Sequence, residues 1–226
     1  MKLVNNDYQI DISLNENEVN VLVLENHDIF TNIVQSMWFQ CNGELGTWIL
    51  LQDEKLLNMS KNIKCIINPF SINLNEKTII SKLYQELKCL SDENLAIESA
   101  NVNMNIINYI EKLLFMTPYP LTYKPENNVI DLFKIYDIKI YSIADTFLEK
   151  LVEYIKIMTQ ICHIHIFVFI GLKQYLSEKD IRKLYEFVFY EKINLLLIEN
   201  HQSKKSDDEN VFIIDNDLCI IKLDDN

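Results

Sequence analysis

The chain has 226 residues, of which 49% are hydrophobic and 24% charged, and its formal net charge is −12. That apolar fraction supports one large domain or two small ones with a buried core and excludes a disordered chain. The acidic balance disfavours nucleic acid as a partner, because such a chain repels phosphates at long range unless its lysines gather on one surface.

Residues 8–14 alternate apolar and polar side chains, the pattern of a half-exposed edge strand. Residues 20–24 form an aliphatic run of strand length, followed by Glu25, Asn26, His27 and Asp28, where a helix carrying Ile29, Ile33 and Met37 is capped. Gly43 and Gly46 mark a turn, and residues 48–51 and 63–67 give two further strands before Pro69. From Asn75 to Met116 the apolar spacing becomes helical, predicting two long helices. Three prolines, Pro118, Pro120 and Pro125, break the second. A short helix over 129–136 and a third long helix over 143–161 follow. Strands at 163–170 and 194–198 flank a helix begun by Ser177 and Asp180, and 211–214 pairs with 218–221 across a tight turn. The expected fold is α/β, with a discontinuous head over 1–72 and 162–226 and an inserted helical leg over 73–161.

No apolar run approaches membrane-spanning length, and no apolar signal core follows Met1, which predicts a cytoplasmic protein without a membrane partner. The five cysteines, Cys41, Cys65, Cys89, Cys162 and Cys219, are odd in number and widely spaced. They are expected to be buried and reduced rather than paired or zinc-bound.

A strand, turn and helix over 19–37 form the setting of a phosphate-binding loop, yet residues 25–32 supply neither the glycines that admit phosphate nor the lysine that balances its charge. With only three glycines in the chain, nucleotide hydrolysis is not expected. His163 and His165 share a face if they lie on a strand, which allows a shared metal, although surface histidines without a third ligand fit as well. Asp215 and Asp217 fit either a hairpin turn or a calcium contact. No catalytic motif is present, so no enzyme is expected. Lys134, Lys139, Lys150 and Lys156 lie among five acids and do not form one strict stripe, as on an ordinary solvated surface. Repeated around a closed assembly, the same lysines would build a positive lining in an acidic protein.

Three blocks of sequence resemble the small accessory protein of type II-A CRISPR adaptation. They are Val21-Leu-Val-Leu-Glu-Asn-His-Asp-Ile-Phe30, Asp131-Leu-Phe-Lys-Ile-Tyr-Asp-Ile-Lys-Ile140 with Phe147-Leu-Glu-Lys150, and 166–199 with its Gly171 and Ser177-Glu-Lys-Asp180. The resemblance implies a degenerate P-loop-ATPase-like head that binds no nucleotide and an α-helical leg through which subunits pair. It further implies a homotetrameric ring on double-stranded DNA ends, indifferent to base sequence, acting in spacer acquisition and antiviral defence beside the CRISPR integrase and effector nuclease. Carried onto this sequence, it assigns Lys134, Lys139, Lys150 and Lys156 to DNA. Family members need calcium, for which Glu126 and Asp131 are the carboxylates remaining here, too few without backbone and water oxygens. The alternative is a protein-interaction scaffold of the adaptation complex that does not touch DNA.

Overall fold

The computed structural model describes residues 1–125 and 128–223, with the side chains of 222 and 223 left aside. By contact the chain divides into two units, residues 1–73 with 142–226 and residues 74–141.

The first unit is the α/β head. Strands β1 (Lys2–Asn5), β2 (Ile10–Ser13), β4 (Trp48–Gln52) and β5 (Lys55–Leu57) form an antiparallel sheet in the order β2-β1-β4-β5. A larger sheet takes β3 (Val19–Leu24), β6 (Ile63–Ile66), β7 (Ile166–Ile170), β8 (Asn194–Glu199), β9 (Glu209–Ile214) and β10 (Ile220–Leu223) in the order β10-β9-β3-β8-β7-β6. All its neighbours are parallel except β10, which turns back antiparallel on β9. Strands β3, β7 and β8 are buried along their whole length, which explains their near-continuous aliphatic runs: parallel strands covered on both faces need no polar alternation.

Period-two alternation divides these strands between two layers. Leu22, Leu24, Val168, Ile170, Leu196, Ile198, Phe212 and Ile214 join a cluster with α1 (His27–Cys41), through Ile29, Ile33 and Met37, and with Leu3, Ile12 and Leu50 of the small sheet. Helix α1 is therefore held between the two sheets. The alternate residues, among them Val21, Val23, Phe167, Phe169, Leu195 and Leu197, face the opposite side. There lie α6 (Phe147–Cys162) and α7 (Glu178–Tyr190), with Leu151, Tyr154, Ile155, Met158, Leu184, Tyr185 and Val188 buried. Lys64 of β6 stands 6.0 Å over the Tyr154 ring on that side. A fully buried aliphatic side chain contributes about 1.5–3 kcal/mol, so this face of α6 fixes the helix to the head.

Two glycines are required by position. Gly171 ends β7 at φ +65°, where any Cβ is strained. At Gly46 a Cβ would collide with the Gln40 carboxamide, which donates to Trp48 O at 2.6 Å and accepts from Trp48 N at 3.0 Å, tying α1 to β4.

The second unit consists of α3 (Lys77–Asn94), α4 (Ala96–Phe115) and α5 (Val129–Ile135); the head also holds the one-turn α2 (Met59–Asn62). Tyr84 of α3 donates to the carbonyls of Phe133 and Ile138, at 3.3 and 3.1 Å, and its ring lies 5.8 Å from that of Phe133. The Asn75 carboxamide makes a two-way bond with the Ile140 backbone, at 3.1 and 2.8 Å. Helix α4, by contrast, buries none of its twenty residues.

Several sequence expectations need correction. The contact boundary at 74 and 141 differs from the expected leg over 73–161, because the apolar face of α6 is buried with the head. The strand expected from His163 begins at Ile166: His163 caps α6 in the left-handed region at φ 58°, and both His163 and His165 are exposed. Cys89 and Cys219 are exposed rather than buried. Strands β1 and β5 add to the strands expected from the sequence, and residues 48–51, expected as a strand, lie in the small antiparallel sheet.

Candidate functional site

Helix α1 begins where a phosphate would be held in a nucleotide-binding head, at the carboxyl end of a central parallel strand. Its first amides are already satisfied. The Asn26 side-chain oxygen accepts from Asp28 N at 3.0 Å and Ile29 N at 3.2 Å, a helix cap supplied by the chain itself. Glu25 and Asp28 add negative charge at the same turn, which opposes an incoming phosphate.

The four lysines assigned to DNA divide between the units. Lys134, in α5, lies 2.9 Å from Asp131, and Lys139 lies 2.5 Å from Asp137, so both of these cations in the second unit have a local carboxylate. Lys150 and Lys156 are on α6 of the head and form no ion pair among the described residues. Thr146 and Glu149 close a capping box at the start of this helix, with Glu149 accepting from Thr146 N and Asp145 N. The hydrogen bonds to Thr146, and then to Asp145, hold the Glu149 carboxyl below its ordinary range.

Of the two carboxylates considered for calcium, Glu126 lies outside the described residues and Asp131 is paired with Lys134. Among the described residues, no three His, Cys, Asp or Glu side chains are grouped to hold a metal ion. Asp215 accepts from the backbone of Asp217 at 3.0 Å and of Cys219 at 2.8 Å, a turn that closes the β9–β10 hairpin.

A polar network escaped the sequence reading. Lys173 Nζ lies 2.7 Å from Glu209 Oε1, with the two side chains only 8% and 1% exposed, and it also donates to Ser203 Oγ at 3.1 Å. Tyr185 donates its hydroxyl to the same Glu209 oxygen at 2.6 Å, and Ser206 N donates to the other at 3.3 Å. Burial, followed by the charge of Glu209 and the hydrogen bond to it, pushes the Tyr185 hydroxyl up. Glu199 accepts from Lys173 N at 3.0 Å, and burial raises its carboxyl, partly opposed by that bond and the Lys173 charge. The stretch 203–209 thus folds part of itself into the head through Ser203, Ser206 and Glu209. Its sequence signal was slight: one carboxylate ending an aliphatic run, and one lysine shortly after Gly171.

A family model described as CRISPR-associated protein (Cas_Csn2) matches residues 40–218. The chain belongs to this family. It is the family that the three sequence blocks resemble. No curated protein matches the chain. Among solved structures, an ATP-binding cassette of an ABC transporter in its ADP conformation is similar at 13% identity and a TM-score of 0.43, covering 91% of this chain and 79% of that one. An ABC transporter ATP-binding protein from Pyrococcus furiosus is similar at 10% identity and a TM-score of 0.38, covering 90% of this chain and 88% of its own. The head of this CRISPR-associated chain is an α/β layer in which α1 follows the central parallel strand β3 and is capped by Asn26. Among the described residues no helix is long and apolar enough to cross a membrane.

Proposed function

We propose that the chain is a non-catalytic, ring-forming protein that binds double-stranded DNA ends without regard to sequence, in the cytoplasm, during type II-A CRISPR spacer acquisition and antiviral defence. The observation that carries this reading is the self-capped α1 in a chain of the CRISPR-associated family: Asn26 takes the amides that a nucleotide phosphate needs. A head that keeps the strand and helix but not the phosphate loop fits a part used for assembly and binding rather than hydrolysis.

Assembly into a homotetramer is supported by α4, which buries nothing of its own while Ile97, Tyr109 and Phe115 are 74%, 67% and 93% exposed. Such a helix gains by meeting apolar surface, and a second copy supplies it symmetrically. Lys150 and Lys156 are the first residues we assign to phosphate contact, since Lys134 and Lys139 must exchange a local carboxylate for DNA. Calcium would act by joining Asp131 to oxygens of other groups, displacing Lys134. The CRISPR integrase and effector nuclease remain the proposed protein partners.

Retention on DNA tests the reading. A threaded ring is retained on linear duplex and not on a covalently closed circle, and its affinity falls with salt by a logarithmic slope of about 0.9 per phosphate contacted. Lys150→Glu with Lys156→Glu lowers both affinity and slope. Equal retention on the two DNA forms, or unchanged binding by the double variant, contradicts it; a scaffold that never touches DNA is the reading such unchanged behaviour would favour.

A further inference from the structure

We propose that the cavity bordered by Lys173, the start of α7 and residues 203–206 is a phosphate subsite, which takes a terminal phosphomonoester through Lys173, Arg182 and Lys204. The cavity has a volume of about 180 Å³ and lies within the head. Lys173, Arg182, Lys204 and Lys205 line it, against the carboxylates of Glu178 and Glu209. In a chain of net charge −12, that concentration of cations on one small cavity needs a physical reason.

The buried pair supplies only part of one. Glu209 accepts from Lys173, Tyr185 and Ser206, so its two oxygens are held and its charge is matched. Lys173 in turn donates to Glu209 and Ser203, which fixes an ammonium of low exposure at the cavity wall with a third hydrogen uncommitted. This network accounts for Lys173 and Glu209 but not for Arg182 and Lys204. Neither of those has an ion-pair or hydrogen-bond partner among the described residues, and each adds repulsion to a cavity already bearing Lys173. An anion relieves that repulsion.

Phosphate suits the donors better than carboxylate does. A guanidinium offers two parallel N–H groups to two phosphate oxygens, an ammonium held by its neighbours supplies a fixed charge to a third, and Ser203 and Ser206 border the same space. A monoester, with its greater charge and three terminal oxygens, satisfies these groups more fully than a backbone diester, while the Glu178 carboxylate in the lining lowers the anion's affinity. The cavity therefore recognises the phosphate group itself, carried either by the end of a nucleic-acid strand or by a free molecule. The inference goes beyond the DNA reading and does not need it.

The test is calorimetric titration of inorganic phosphate into the full chain at low ionic strength, beside two double variants of equal charge loss. The expected result is saturable binding at one site per chain, weakened at least about tenfold by Arg182→Ala with Lys204→Ala and little changed by Lys55→Ala with Lys179→Ala, whose exposed lysines lie off the cavity. Blunt duplexes with 5′-phosphate or 5′-hydroxyl ends then separate the sources. A preference for the phosphorylated end that disappears in the Arg182/Lys204 variant assigns the subsite to strand ends; equal binding of the two duplexes, with phosphate binding still lost in that variant, assigns it to a free phosphorylated molecule. No phosphate binding by the unaltered chain, or equal weakening in both double variants, overturns the proposal. Because the phosphate titration contains no DNA, its failure is distinguishable from failure of the duplex-binding reading.

Discussion

Helices α6 and α4 are both long and amphipathic, yet one buries Leu151, Tyr154, Ile155 and Met158 completely or nearly so, while the other buries no residue. The difference teaches that apolar content alone does not decide where a helix belongs. Helix α6 completes the head's own core. Helix α4 presents comparable apolar side chains to solvent.

The same truncation on the two helices gives the sharpest contrast. Leu151→Ala removes a side chain with no exposure and is expected to cost about 2–5 kcal/mol in urea unfolding. Leu113→Ala, at a residue 51% exposed, is expected to change the stability of the dilute chain by no more than about 0.5 kcal/mol. Equal losses would break the comparison. Tyr109→Glu with Leu113→Glu sharpens it from the other side: native mass falls to that of the single chain while the unfolding midpoint of that chain is preserved.

A smaller effect is expected at the start of α6. Thr146→Ala removes one half of the capping box and costs about 1 kcal/mol by thermal or urea unfolding. The smallest effects concern two carboxylates shifted in opposite directions. Glu149 is held below its ordinary range, so its contribution to stability is complete at neutral pH and is lost as pH falls through its folded-state value. Glu199 is raised by burial, so its contribution favours folding at low pH and declines as pH rises through its folded-state value. Urea midpoints at several pH values should therefore show Glu149→Gln losing stability mainly at neutral pH, and Glu199→Gln gaining it there.

These contrasts also explain what the sequence made legible. Strands β3, β7 and β8 were visible as aliphatic runs because both faces are covered, and α7 was visible from Ser177 and Asp180, whose bonds the structure contains. Strand β1 was obscured because buried Asn5 looks like a loop residue until its bonds to Thr47 and Asp7 are seen. The three residues of β5 have no buried position to create a pattern. Helix α6 could be recognised but not assigned, since periodicity reveals that a face is apolar and not which core receives it. The resemblance assigns all four lysines to DNA alike, since the local carboxylates of Lys134 and Lys139 show only in the structure, and Lys173 has little sequence signal because its partner Glu209 is brought to it only by the folded chain.

The central claim is that copies of this chain close around duplex DNA, with α4 at their meeting face. Native mass spectrometry of the protein on a blunt linear duplex, with calcium, tests it most directly. The account predicts a particle of four chains with one duplex, reduced to single chains by Tyr109→Glu with Leu113→Glu; a single chain on the duplex in the unaltered protein would contradict it.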